Sequence, residues 1–295
     1  MSNVAEISAT LQVLQRQRAW YIKSRIMIAN RLQATVAGTI GYHSGMEEKE
    51  RTKLFGQAGK VIKQITNGEI ESPIKNIVMT TMLSIDGFDD AQKKIEKLML
   101  EQIKQLPRTI TDWVKHKNQR GFGCLFLAII IGETGDLANY ANPAKVWRRL
   151  GCAPYQYDGK VQMGATWRGG KQGKLPAEEW EKFGYSPRRR SIAFLIGEGI
   201  VKQNGSKAVG ADERLAETEQ ENVGPYRFRY DLTKAKIQKE HPDYKPMRCH
   251  LHGMLLATKL LLKNLWIEWN KDTLAKGYSY ASDALGETDT VFACV

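Results

Sequence analysis

The sequence predicts a mainly α fold in two parts. A helical, partly coiled-coil arm over residues 1–118 precedes a domain containing a helix-hairpin-helix over residues 119–295. Three observations predict it. Apolar residues recur at helical spacing through most of the first 115 positions. A Gly-x-Gly pair, Gly121 and Gly123, directly precedes the apolar run 124–131. A second strongly apolar pattern, with Leu251, Leu255, Leu256, Leu260, Leu262, Leu265 and Trp266, makes residues 246–270 a core helix.

The first helix carries Leu11, Leu14, Tyr21, Ile28 and Leu32 at helical spacing over roughly thirty residues. Between Glu6 and Glu47 there is no acid, while Arg16, Arg18, Lys23, Arg25 and Arg31 are basic. The glycines Gly38, Gly41 and Gly45 end it. A second helix over about 47–64 shows Leu54, Ala58, Val61, Ile62 and Ile65 on one face. A third is expected over about 89–115, opened by Asp86, Asp89 and Asp90 as cap-like acids and interrupted at Pro107. It carries Ile95, Leu98, Met99, Ile103 and Leu106. Such stripes imply packing on another helix, within this chain or in a second copy, so a homo-oligomer is expected. The basic faces remain available to phosphates.

Residues 120–157 read as a glycine hairpin, a buried helix, a short polar turn and a second helix ending at Gly151. Glycines ahead of a helix let the backbone turn tightly and leave unpaired N–H groups at the positive end of the helix dipole. That is how a helix-hairpin-helix grips nucleic-acid backbone without reading sequence. A plain hairpin between two core helices fits this segment alone equally well.

Charge separates the two readings. The chain has 44 Lys+Arg against 32 Asp+Glu, a formal net charge of +12, and an isoelectric point near 9.4, which favours a polyanionic partner. Between positions 160 and 190 the basic residues are Lys160, Arg168, Lys171, Lys174, Lys182, Arg188, Arg189 and Arg190, against Glu178, Glu179 and Glu181. Arg188, Arg189 and Arg190 sit at the first turn of an apolar helix. There they oppose the helix dipole and cost stability unless an anion offsets them. The nucleic-acid-binding residues expected are therefore Gly121, Gly123, Lys160, Arg168, Lys171, Lys174, Arg188, Arg189 and Arg190. A solvated basic face is the alternative.

The remaining features exclude more than they assign. Four separated cysteines, Cys124, Cys152, Cys249 and Cys294, give no C-x-x-C and no disulfide framework, as in a reducing cytoplasm. No apolar run is long enough to span a bilayer, and the start of the chain does not read as a signal peptide. Cys249, His250, His252 and His241 lack paired metal-ligand spacing, so no metal is expected there. Residues 203–224 are polar and read as a flexible insertion, followed by helices over 225–239 and 246–270.

The order of elements resembles a known domain. Arg120 to Gly123, the acidic turn Ile131-Gly132-Glu133-Thr134-Gly135-Asp136-Leu137, the helix over 143–154, and Lys182-Phe183-Gly184 with Arg188-Arg189-Arg190 follow in sequence. Together they resemble the C-terminal transposase domain of the Piv-type DNA invertases and bridge-RNA-guided insertion-sequence transposases. The resemblance covers roughly 98–270. It implies a transposase-like domain acting in DNA transposition or site-specific recombination, with DNA as partner and a structured RNA as a second candidate. Two departures qualify it. The family's RuvC-like N-terminal domain, with its metal-binding carboxylates, has no counterpart in the helical first 120 residues. A RuvC-like partner subunit would have to supply it, and Mg²⁺ with it; this chain is expected to bind no cofactor of its own. The family's serine position reads Asp158, with Thr166 and Ser186 the nearest hydroxyls and Glu181 at the second motif's serine. No catalytic residue is assigned, and a transposase-derived DNA- or RNA-binding regulator without catalysis is the alternative.

Overall fold

A computed structural model describes residues 2–116, 119–157, 160–163, 186–203 and 224–272. The protein is mainly α. The helices are α1 (Ser2–Thr39), α2 (Glu48–Thr66), α3 (Lys75–Ile103), α4 (Arg108–Lys115), α5 (Cys124–Thr134), α6 (Pro143–Arg149), α7 (Pro187–Gln203), α8 (Pro225–Glu240) and α9 (Pro246–Trp269). A short 3₁₀ turn, Leu137–Asn139, separates α5 from α6. One antiparallel hairpin, β1 (Pro154–Tyr157) with β2 (Lys160–Met163), follows α6. The chain forms two compact units: Val13–Glu101, and Met1–Gln12 together with Gln102–Val295. The division thus falls earlier than residue 118.

In the Val13–Glu101 unit, α1 and α3 lie antiparallel. Arg18 Nε donates to Glu96 Oε1 at 2.7 Å, and Arg25 pairs with Asp89. Seven residues forward on α1 therefore correspond to seven residues back on α3, the register of a two-helix coiled-coil hairpin. Trp20 meets Tyr21 and Phe88 edge-on, and Tyr21 meets Phe88 at a tilt. A small core of Leu32, Val36, Ala37, Ala58, Ile65 and Val78 ties α2 to the ends of both helices. The apolar stripes of the arm are thus met in part within the chain.

One boundary differs from expectation. The third helix begins at Lys75, not near Asp89, and passes straight through Asp86, Gly87 and Asp89. Its opening signal is Ser72-Pro73: the Ile74 N–H points to Ser72 Oγ at 3.4 Å and the Lys75 N–H donates to Ser72 O at 3.0 Å. Asp89 is an ion-pair partner for Arg25 rather than a cap. Pro107 does interrupt the run, as the N-terminal flank of α4.

In the other unit, α9 is the central helix and packs against α4, α6, α7 and α8. Its inner face buries Cys249, Met254, Ala257, Leu261, Leu262, Leu265, Trp266 and Ile267. Helix α5 is buried from Leu127 to Thr134, so nearly every side chain in it meets protein, as its unbroken apolar composition requires. Buried charge is a second trait of this unit. Arg227 donates to Asp231 at 2.8 Å and to the Val201 carbonyl at 2.6 Å, with both side chains under a tenth exposed.

Candidate nucleic-acid interface

The two hairpin glycines do different things. Gly121 has φ +83°, and a Cβ there would fall 2.3 Å from the Gly199 carbonyl oxygen. Its smallness serves the close approach of this turn to α7. Gly123 is extended, exposed and surrounded by open space, and it flanks the first turn of α5. The N–H groups that open α5 therefore start from an accessible turn.

The end of α5 is fixed from several sides. The Gly135 N–H donates to Ile131 O at 2.7 Å and the Thr134 hydroxyl to Ile130 O at 2.8 Å. Asp136 then accepts the Ala138 N–H at 2.9 Å and the Trp269 indole at 2.8 Å. The Trp266 indole donates to Tyr140 O at 2.9 Å, and the Tyr140 hydroxyl to Thr134 O at 2.7 Å. Two indoles of α9 thus hold the turn between α5 and α6. Asn142 caps α6 by accepting the Lys145 N–H at 3.2 Å, with Pro143 at its first position. Gly151, at φ +69°, ends it.

This frame brings arginines from two helices to one residue, Glu133. Glu133, at the end of α5, has a side chain only 1 % exposed. Its Oε2 accepts Arg188 Nη2 at 2.7 Å and Arg189 Nε at 3.3 Å, both from the first turn of α7. Arg149, in the last turn of α6, donates through Nε to the Glu133 carbonyl oxygen at 3.3 Å. Burial first, and then the neighbouring Arg149, pull the Arg189 ionisation below the usual arginine range; Glu133 acts in the opposite direction. Burial raises the Tyr140 phenol beside them, against the influence of Arg149 and Arg189. Arg188 remains 47 % exposed. The anion that the sequence demanded for these arginines is therefore partly internal, yet two guanidinium groups share one carboxylate and a third sits on the same residue's carbonyl.

Arg190 points elsewhere. Its Nη1 lies 3.7 Å from the sulfur of buried Cys152. Burial pushes the Cys152 thiol up, against the pull of Arg190 and Lys259, so it is no thiolate nucleophile at neutral pH. Ser186 opens α7: its carbonyl accepts the Arg190 N–H at 3.0 Å, and its hydroxyl faces the Arg189 N–H at 3.4 Å. Lys160 pairs with Tyr157 across the β-hairpin. Arg168, Lys171, Lys174, Lys182, Asp158, Thr166, Glu181 and the interior of the 203–224 insertion lie outside the described residues.

The histidine cluster resolves into separate contacts. His250 Nδ1 lies 2.7 Å from the Tyr230 hydroxyl, while His241 stacks on Tyr244, which Arg248 covers at 3.6 Å. Among the described residues no three His, Cys, Asp or Glu side chains are grouped as a metal would need. No described helix is long and apolar enough to cross a membrane.

Sequence reasoning singled out neither Arg149 nor the pairing of Glu133. One signal for it was present: Glu133 is the lone acid closing an apolar helix, so its charge had to meet a cation from elsewhere in the chain. No family model matches this chain, and neither a curated protein nor a solved structure matches it.

Proposed function

We propose that this is a nucleic-acid-binding protein of the transposase type, acting in DNA transposition or site-specific recombination within a larger assembly. The observation that carries the reading is the surplus of cationic groups where α5 ends: Arg188 and Arg189 on the Glu133 carboxylate, and Arg149 on its carbonyl oxygen. It belongs to a chain of net charge +12, and the start of α5, at the other end of that helix, is accessible as well. Backbone phosphates suit such a surface, because they supply anions without requiring base readout. The sequence resemblance supports the transposition setting and names DNA first and a structured RNA second. A RuvC-like partner subunit would contribute the carboxylates that hold Mg²⁺, and copies of this chain would associate through the arm.

One observation favours the alternative of a catalytically inactive regulator. Ser186, one of the two hydroxyls nearest the family's serine position, is engaged at the start of α7. A nucleophilic serine attacks phosphorus only when held beside a base or metal and aimed at the scissile phosphate. Sequencing of nucleic acid copurified with the full chain is expected to return DNA element ends or one structured RNA; a preparation free of nucleic acid that binds neither in vitro would end the reading. Supercoiled plasmid with Mg²⁺ separates the two forms of it. The isolated chain is expected to bind without nicking, and cleavage lost in Ser186→Ala or Thr166→Ala would reinstate a catalytic hydroxyl.

A further inference from the structure

We infer that Arg149, Arg188 and Arg189 form one site for a single phosphate group, and that Glu133 is its positioning residue. The inference rests on the nucleic-acid reading above and adds to it a stoichiometry and a role for a buried acid.

A carboxylate near a phosphate site can act in two ways. An exposed one competes with the phosphate and weakens binding. A covered one holds the cations in place and strengthens it. Glu133 is of the second kind, because its side chain is 1 % exposed while Arg188 above it is 47 % exposed. It engages Arg188 through one terminal nitrogen and Arg189 through Nε. A guanidinium carries five N–H donors in a rigid fork, so each arginine keeps donors beyond those Glu133 uses. Arg149 is held through Nε by the Glu133 carbonyl, and among the described residues its two terminal nitrogens have no other partner. The three groups thus share one anchor, on a residue fixed by the end of α5. Burial first, and then the neighbouring Arg149, lower the Arg189 ionisation, and a second anion beside these cations offsets that.

One phosphate shared by three arginines differs measurably from three phosphates held separately. Each phosphate neutralised contributes about 0.9 to the slope of log affinity against log salt for duplex DNA. Fluorescence anisotropy of the full chain with a labelled duplex of arbitrary sequence would give these slopes. Arg149→Ala should lower the slope by about one unit, and Arg149→Ala/Arg189→Ala should lower it no further. A loss of about two units in the double variant would overturn the single site. Glu133→Gln tests positioning by its sign. It adds a positive charge to the protein, yet affinity should fall about tenfold, the order of one charge-assisted hydrogen bond, with the slope kept. Equal or tighter binding by Glu133→Gln would show a competitor, not a positioning residue.

Thermal unfolding in inorganic phosphate gives an arm independent of DNA. A phosphate-dependent rise in Tm in the wild type that Arg149→Ala abolishes supports the site even where duplex binding fails. Absence of that rise, with slopes unmoved by Arg149→Ala, overturns the site, whereas salt-dependent binding that persists in that case leaves the broader function standing.

Discussion

The arm and the larger unit use charge in opposite ways. In the Val13–Glu101 unit, the Arg25–Asp89 pair of the α1–α3 hairpin is open to water, with side chains 36 % and 33 % exposed. Water solvates such pairs, salt screens them, and they fix register more than they stabilise. In the larger unit, Glu133 and the Arg227–Asp231 pair are taken out of water. Burying a charge costs several kcal/mol unless it is paired and hydrogen-bonded. A fold retains such groups where each has its partners or where they serve a site. Both cases are present: Arg227–Asp231 is paired one to one, while Glu133 is outnumbered by arginines.

The largest expected effect tests the first case. Asp231→Ala would leave Arg227 buried with, among the described residues, the Val201 carbonyl and the Tyr230 ring beside it, and should cost about 3–5 kcal/mol in urea unfolding. A cost under about 1 kcal/mol would mean that water reaches the pair and that the contrast between the units is false. Next comes Gly121→Ala, which combines a positive φ with the 2.3 Å approach to Gly199. It should destabilise by about 2–3 kcal/mol. The same change at Gly123, where nothing lies within 4 Å, should be nearly neutral for folding. Equal costs at the two positions would erase the division of labour within the hairpin. The smallest effect belongs to the arm. A double-mutant cycle on Arg25 and Asp89 should give a coupling below about 1 kcal/mol, and one of about 2 kcal/mol or more would make that pair resemble the buried ones.

Much of the fold was legible because helical periodicity and glycine or proline punctuation act locally. The run 124–131 announced α5, Pro107 its interruption upstream, Gly151 the end of α6, and the leucines of 246–270 the core helix. The start of α3 was misread because Asp86, Asp89 and Asp90 look like a cap in isolation. Asp89 serves a tertiary contact, meeting Arg25 sixty-four residues away, while Asp90 pairs locally with Lys93. The candidate site was half legible for the same reason. Arg188 and Arg189 stood out as cations opposing a helix dipole, a local conflict. Arg149 carries no such mark and Glu133 only that of a lone acid closing an apolar helix; which groups they meet is decided only when α5, α6 and α7 come together. Arg190, which looked like their equal, turns to Cys152 instead.

The central claim, that the start of α7 meets phosphate backbone, is tested most directly by the salt dependence of duplex binding in the wild type and in Arg188→Ala/Arg189→Ala/Arg190→Ala. The account predicts weaker binding to every sequence alike and a slope of log affinity against log salt flatter by about one unit or more. An unchanged slope, with the variant folded, would contradict it.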